Sequence, residues 1–217
     1  MNLPILSILI FLPLVGVFFL VFTRGDEHFI RKTSINVSLI TSLLTLLISI
    51  FIWFNFDKTT AEFQFVEEKK WIRDFINYKV GIDGVSLVFI ILTSIIVPIC
   101  IISTSNSVSV RIREFLISIL LMETLMLGVF CSLDLFIFFL FFEAGLIPMF
   151  LIIGIWGGDR RVYSAFKFFL YTLFGSVFML IAIIFIYFEY GSLDVIKLLQ
   201  LDIDQKYQKY LWLGFFA

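Results

Sequence analysis

The 217-residue chain is strongly apolar: 61% of its residues are hydrophobic, 15% are charged, and the net charge is −1. Soluble globular proteins average about 45–50% apolar and about 25% charged residues, so this composition predicts a surface that faces a lipid bilayer. The near-zero charge and the lack of a basic patch with interleaved aromatics exclude nucleic acid as a partner.

Six continuous apolar runs reach the length of about 20 residues that a membrane-spanning helix needs. They are Leu3–Phe22, Ser34–Phe54, Val85–Ser103, Phe115–Leu133, Leu135–Ile155 and Ser164–Phe188. A seventh begins near Tyr210 and is cut off at Ala217, which predicts the N-terminal part of a longer protein, or a truncated one. Because lipid-facing backbone must pair within its own segment, we predict an all-α polytopic bundle forming a single membrane domain over residues 1–217.

The connection over residues 55–84 is the longest extramembrane segment. Trp71, Ile72, Phe75 and Ile76 have the spacing of one apolar helical face, which favours a short interfacial helix. An ordered loop with aromatic anchors is the alternative. Lysines and arginines are denser in the first, third and fifth loops than in the others, so we expect those odd loops in the cytoplasm or matrix.

Two carboxylates fall inside the predicted spans. Glu143 lies nine residues beyond Asp134 and Glu123 eight residues before Cys131, which is roughly 14 Å and 12 Å deep at the helical rise. A charge at that depth costs about 2.5–3.5 kcal/mol, so such residues mark polar pathways or partners. Burial disfavours the anion, which lets a carboxyl group exchange a proton near neutral pH. The alternative is a structural tie to Thr124, Ser132 or a backbone carbonyl.

Other residues near these carboxylates extend the candidate site. Pro148 removes a helical hydrogen bond and clashes with the carbonyl of Ala144, so we predict a kink there, loosened further by Gly145. Lys167 lies about one turn inside the sixth span, where it either belongs to a proton path or snorkels to the interface. Asp83 and Asp134 precede helices and are predicted to cap them.

Metal and redox sites are not predicted in this chain. Cys100 and Cys131 are too far apart for a zinc or CxxC pattern, and His28 is the single histidine. We therefore expect the two cysteines to pack among apolar side chains and the chain to carry no haem, iron–sulfur cluster or zinc.

Several segments, in order, resemble a known family. The runs are GIDGVSLVFIILTSIIVPIC, then EFLISILLMETLMLGVFCSLDLFIFFLFFEAGLIPMFLIIGIWGGDRRVYSAFKFFLYTLFGSVFML, and finally YLWLGFFA. They resemble the third to seventh helices of subunit M, also called chain 4, of NADH–quinone oxidoreductase (respiratory complex I). The run FFEAGLIPMFLIIGIWGG followed by KFFLYT carries the resemblance most specifically, and residues 1–79 agree only in layout.

The resemblance implies an antiporter-like subunit of about fourteen helices whose fifth-helix glutamate, here Glu143, is essential for proton translocation. Its partner lysine in that family lies on the seventh helix, past Ala217, and Lys167 occupies the family's KFF position. NADH, FMN, iron–sulfur clusters and quinone would then belong to partner subunits, and neighbouring antiporter-like subunits would be the membrane partners. The implied location is a bacterial cytoplasmic or mitochondrial inner membrane.

Two other functions remain open at this stage. The same motifs occur in multi-subunit cation/proton antiporters and membrane-bound hydrogenases. A structural membrane subunit, whose buried acids only tie helices together, is the third reading.

Overall fold

The computed structural model describes residues 4–72, 76–108, 110–202 and 204–216. In chain order the elements are α1 Ile5–Phe22, α2 Glu27–Asn55, β1 Gln64–Ile72, β2 Ile76–Ile82, α3 Gly84–Ser107, α4 Ile112–Cys131, α5 Leu135–Trp156, α6 Arg161–Tyr190, α7 Val195–Leu198 and α8 Gln205–Phe216. Within the described residues, 6 helices are long and apolar enough to cross a membrane. This confirms the predicted polytopic helical fold and its spans.

Two helices extend beyond their apolar runs. α2 begins at Glu27 and α6 at Arg161, each several residues before the predicted span. The added residues include charged groups such as Glu27 and Arg161. A helix can continue past the hydrocarbon region because its backbone hydrogen bonds stay paired there as well. The predicted caps are confirmed: Asp83 Oδ1 accepts from Ser86 N at 2.7 Å, and Asp134 Oδ1 accepts from Phe136 N at 2.9 Å.

The loop over residues 55–84 contains two strands, so the interfacial helix predicted there is wrong. β1 and β2 pair in a two-stranded sheet. In β2, Tyr78, Val80 and Ile82 alternate with polar or small residues, which is the period of a strand. The spacing that suggested a helix fits both structures over so short a stretch; Phe75 lies outside the described residues.

The chain divides into two compact units. Unit 1 comprises Met1–Val66 and Gly81–Cys131, and unit 2 comprises Glu67–Val80 and Ser132–Ala217. Unit 1 therefore holds α1–α4, with a core of Leu20, Val97, Ile101, Ile112, Leu116 and Leu120. Unit 2 holds α5–α8 and most of the hairpin, with a core of Met179, Ala182, Ile183, Ile186, Leu193 and Leu211. The single membrane domain stays a prediction.

Two arginines join the helix ends at one end of unit 1, called here the basic end. The Arg31 guanidinium, near the start of α2, donates to the carbonyls of Ser105 and Val108 at the end of α3. Arg113, in the first turn of α4, donates to the Thr23 carbonyl after α1. α1 and α3 therefore end where α2 and α4 begin, so α2 and α4 run parallel.

Candidate functional site

Glu143 lies in the middle third of α5. Eight residues separate it from Leu135, the first residue of the helix, which is roughly 12 Å along the axis. Its side chain is partly buried, and Oε1 is enclosed without a hydrogen-bond partner among the described residues. Buried polar atoms are normally hydrogen-bonded, so an enclosed carboxyl oxygen without a donor marks this position for a partner outside the described residues or for a functional role.

The surroundings of Glu143 follow from how α5 packs on α6. Phe150 lies edge-on to Phe166 and Phe169, with ring centroids 5.2 Å and 5.6 Å apart. Glu143 lies seven residues before Phe150. Because the two helices run antiparallel, the level of Glu143 on α6 is about seven residues after the phenylalanine pair, near Gly175 and Ser176. The small face of α6 is therefore level with Glu143.

A cavity of about 160 Å³ opens beside this level. Its lining comprises Phe142, Tyr171, Thr172, Gly175, Ser176, Met179, Gly214 and Phe215. Phe142 is the chain neighbour of Glu143, and Thr172 and Ser176 supply hydroxyl groups. The hydroxyls of Thr172 and Ser176 donate to carbonyls of their own helix, which leaves their oxygen lone pairs available to accept a proton donor.

Pro148 lies five residues, about 1.4 turns, after Glu143 in the same helix, and Gly145 lies two residues, about half a turn, after it. α5 continues without interruption from Leu135 to Trp156 with Pro148 inside it and buried. Pro148 has no N–H, so the Ala144 carbonyl lacks its helical donor. A Cβ added at Gly145 would meet nothing within 4 Å, so this glycine serves no close helix contact. The predicted kink itself stays a prediction.

Lys167 is exposed on α6 and lies level with Phe150, not with Glu143. The separation along the helix axis is roughly 12 Å, about eight residues of rise. Among the described residues no ion pair joins Lys167 to a carboxylate. The structure therefore does not bring these two predicted site residues together.

Glu123 lies in α4 of unit 1, on the face that packs against other helices. It is 1% exposed, and neither Oε1 nor Oε2 has a hydrogen-bond partner among the described residues. The neighbouring Thr124 Oγ1 is also buried and unpaired, so the predicted tie to Thr124 is not made. Glu123 and Glu143 belong to different units, and their similar depth on consecutive helices stays a prediction.

A charged cluster in unit 2 was not predicted. Lys79 Nζ in β2 lies 2.6 Å from Asp194 Oδ2, and the Asp194 backbone pairs with that of Asp134 in an antiparallel bridge. Burial raises the pKa of Asp134 above its ordinary value; the N–H groups of Ile137, Phe136 and Asn77 oppose the rise, and the Asp194 charge adds to it. Polar residues around the short helix α7, which itself contains Lys197, were the one available signal.

A family model described as NADH:quinone oxidoreductase/Mrp antiporter, TM, matches residues 132–217. The chain is 44% identical over 219 residues to NADH-quinone oxidoreductase subunit M of Rickettsia prowazekii, covering 100% of this chain and 45% of that protein. It is 46% identical over 215 residues to NADH-ubiquinone oxidoreductase chain 4 of Marchantia polymorpha, covering 98% and 43%. The chain thus spans less than half the length of these curated relatives.

Solved structures of low sequence identity share the fold. A chain of respiratory complex I from Thermus thermophilus aligns with a TM-score of 0.80 at 24% identity, over 96% of this chain and 42% of that one. A chain of the Mrp complex from Dietzia sp. aligns with a TM-score of 0.78 at 16% identity, over 97% and 22%. These similarities concern the fold alone.

Together these comparisons confirm the resemblance predicted from the FFEAGLIPMFLIIGIWGG run. The bacterial and mitochondrial relatives, with the six candidate spans, also confirm a multi-pass inner-membrane protein. The roles of Glu143, Glu123 and Lys167 stay predictions.

Proposed function

This chain is a relative of subunit M and chain 4 of NADH–quinone oxidoreductase, and from that relationship we propose that it translocates protons through Glu143 as part of such a complex. Proton movement would be driven by NADH oxidation and quinone reduction in partner subunits. The single observation that carries the proposal is the enclosed Oε1 of Glu143 in the middle third of α5, which has no hydrogen-bond partner in the described part of the chain.

The chemistry required of Glu143 is reversible protonation. An approaching cation would stabilise the carboxylate, and its withdrawal would favour the protonated form. A change in the neighbouring charge during the working cycle would therefore load or release one proton. The side chain needs no redox group for this step.

The residues around Glu143 support proton entry and exit. The Ala144 carbonyl, left without its helical donor by Pro148, is an acceptor one residue away. The cavity lined by Thr172 and Ser176 supplies hydroxyl oxygens at the same level of the unit. We infer that a proton reaches Glu143 through this small, partly polar face of α6.

Partners and cofactors follow from the proposed assembly. Neighbouring antiporter-like membrane subunits would pack beside this chain, and NADH, FMN, iron–sulfur clusters and quinone would be bound by other subunits. Within this chain, the proposal requires no cofactor and no metal.

The test is Glu143→Gln in the full-length subunit within the assembled complex, reconstituted in liposomes. Glutamine keeps the size and polarity of the side chain but cannot ionise, so we expect proton pumping to be lost. The matched control is Glu189→Gln, an exposed acid at the end of α6, which should pump normally. Normal pumping by Glu143→Gln at normal assembly would contradict the proposal.

A cation/proton antiporter or a membrane-bound hydrogenase is the second candidate, because the matching family model covers both NADH:quinone oxidoreductase and Mrp antiporter subunits. Co-purification with flavin and iron–sulfur subunits separates the first candidate from an antiporter. If Glu143→Gln lowers assembly but leaves transport per complex intact, a purely structural role is the better description.

A further inference from the structure

We propose that unit 1 contains a proton-uptake path of its own, which runs from the basic end along a row of hydroxyl side chains on α2 to the carboxyl group of Glu123. The species carried are water and the hydrated proton. The inference extends the proposed function and rests on it only for the use to which the proton is put.

The hydroxyl row lies on one face of α2. Its members are Ser34, Ser38, Thr41, Ser42, Thr45 and Ser49, and each is at most 8% exposed. Spacings of three and four residues put all six on the same side of a helix. In a helix whose remaining residues from position 37 to 54 are apolar, a buried face built from hydroxyl groups places a row of polar atoms along the hydrocarbon region.

Two members of the row lack hydrogen-bond partners. Ser34 Oγ and Ser38 Oγ are buried and unpaired among the described residues. Thr41 and Thr45, by contrast, donate to the carbonyls of Val37 and Thr41 at 2.8 Å and 3.1 Å. An unpaired buried hydroxyl costs about 1–3 kcal/mol, and in native proteins such groups usually bind water. The unpaired pair lies toward the basic end.

Gly16 shows where the row meets α4. A Cβ at Gly16 of α1 would lie 2.7 Å from Thr41 Oγ1 and 3.0 Å from Leu120 Cδ1, so α1, α2 and α4 converge there. Because α2 and α4 run parallel, Thr45 is level with Thr124, one turn beyond. Leu120 and Thr124 share the buried face of α4 with Glu123.

Thr45, in the far half of the row, is therefore level with a set of unpaired acceptors on α4. Both Glu123 oxygens and Thr124 Oγ1 are buried and have no hydrogen-bond partner within the ranges that the structure describes. The Glu123 side chain is 1% exposed and therefore almost fully enclosed, and the row passes its level on the neighbouring helix α2. The buried, unpaired carboxyl group of Glu123 is a second observation, independent of the row, that favours a proton path over close packing of small residues.

A cavity at the basic end lies about one turn before the near end of the row, since Ile30 lines it and Ser34 follows four residues later. The cavity measures about 410 Å³ and is lined by Gly25, Glu27, Ile30, Arg31, Arg111, Ile112, Arg113 and Glu114. Glu27 lies two turns before Ser34 on the same face of α2, so its carboxylate leads from the cavity to the row. Of the two carboxylates, Glu114 pairs with Arg113 at 3.1 Å, which leaves Glu27 as the group that would pass a hydrated proton on. Two of the three arginines also donate to backbone carbonyls.

The step itself is a proton transfer without electron transfer. A hydrated proton at the cavity transfers its proton to the next oxygen, so that one O–H bond breaks and another forms. Each water or hydroxyl along the row then accepts one proton and donates another. At the end an O–H bond forms on the Glu123 carboxylate, which becomes neutral. Each hydroxyl has both a donor and acceptor lone pairs, which is what a relay requires.

Close helix packing is the competing role of the row. Ser34, Ser38 and Ser42 repeat every fourth residue, as in small-residue seams that let membrane helices approach each other. A seam excludes water, whereas a path must admit it. The two roles therefore differ in the reactivity of a thiol introduced into the row.

Cysteine accessibility in the full-length subunit, within the assembled complex in native membranes, tests the path. Ser34→Cys and Ser38→Cys are introduced into a version of this subunit whose own native cysteines have been replaced. Each variant is treated with a charged methanethiosulfonate reagent from the basic-end side. The control is Ile40→Cys, which faces outward on the same helix at 59% exposure. We expect the two row cysteines to react at least about tenfold faster, because a reactive thiolate forms only where water reaches. Equal rates would overturn the inference.

Proton pumping by Glu123→Gln and Glu123→Asp supplies the second test. We expect Glu123→Gln to slow pumping by about tenfold or more, within the range of a positioned proton-transfer group, and Glu123→Asp to restore part of it. If Glu143→Gln abolishes pumping but Glu123→Gln does not slow it, this inference fails alone. If Glu143→Gln pumps normally, the proposed function fails, while the cysteine result still decides whether the path exists.

Discussion

Lys79 Nζ lies 2.6 Å from Asp194 Oδ2, although 115 positions separate the two residues in the chain. Their side chains are only 11% and 12% exposed. Asp194 also accepts from Ile196 N through Oδ1, so its two oxygens bind the hairpin lysine and cap α7. The backbone follows the same arrangement: Leu133 N donates to the Lys79 carbonyl and Val195 N to the Leu133 carbonyl. Through these bonds β2 contacts the segment before α5, at Leu133, and the segment after α6, at Asp194.

The first prediction concerns the removal of this lysine. Lys79→Met leaves the Asp194 carboxylate largely buried without its cation, which should cost about 3–5 kcal/mol of stability. The nearby Glu68, 3.8 Å from Nζ and half exposed, contributes little. Denaturant unfolding of the purified full-length protein in detergent should show a lower midpoint. Lys197→Met, an exposed lysine in α7, is the matched control and should stay within about 0.5 kcal/mol of the parent.

A second prediction follows from Asp134. Burial raises the pKa of its carboxyl group above the ordinary value of 3.8. The folded state therefore binds this proton more tightly than the unfolded chain, and the associated stability is present below pH 3.8 and is lost as the pH rises through the folded pKa. In Asp134→Asn, which can still cap α5, that part of the pH dependence should disappear. The difference is measured as the unfolding midpoints of the two proteins over a pH series that starts at about 3.5, near the pKa of the unfolded carboxyl group. If the two plots of midpoint against pH are parallel, the assignment to Asp134 is wrong.

A third prediction uses the close approach at Gly16. An alanine Cβ would lie 2.7 Å from Thr41 Oγ1 and 2.9 Å from Thr41 Cγ2. Threonine is short and stiff at χ1, so it cannot move aside cheaply. We expect Gly16→Ala to destabilise unit 1 by about 1–3 kcal/mol, as overpacking does. Gly84→Ala is the control in the same unit, since a Cβ there meets nothing within 4 Å and should be tolerated. Equal midpoints for the two variants would show that α1 and α2 separate easily.

The spans were predictable because length and hydropathy determine them, whereas the rotation of each helix was not. Glu123 was recognised as an intramembrane acid from sequence. That neither of its oxygens finds a partner depends on which face of α4 turns inward, and a nearly uniform apolar helix hardly encodes that. The hydroxyl row of α2 was not predicted: its three- and four-residue spacing is present in the sequence, but its burial became apparent only from the packing at Gly16.

The hairpin and its lysine were missed for a different reason. A stretch of about seven residues satisfies helical and strand periods almost equally, so the spacing around residues 71–76 decided nothing. Lys79 read as a loop charge because its partner, Asp194, lies more than a hundred residues away. Pairings at such sequence separation follow from how the chain closes on itself, which local pattern does not specify.

The last prediction separates Lys167 from Glu143. Lys167 is exposed and level with Phe150, roughly 12 Å along α6 from the level of Glu143, whereas a direct hydrogen bond spans about 3 Å. Its long stem can bring the ammonium group to the interface near the start of α6. We therefore expect Lys167→Gln to keep the parental ratio of protons pumped to electrons transferred in the assembled complex, with Lys167→Arg as the charge-preserving control. If Lys167→Gln loses pumping to the same degree as Glu143→Gln while Lys167→Arg retains it, the lysine charge acts on the proton path itself, and the snorkelling role is wrong.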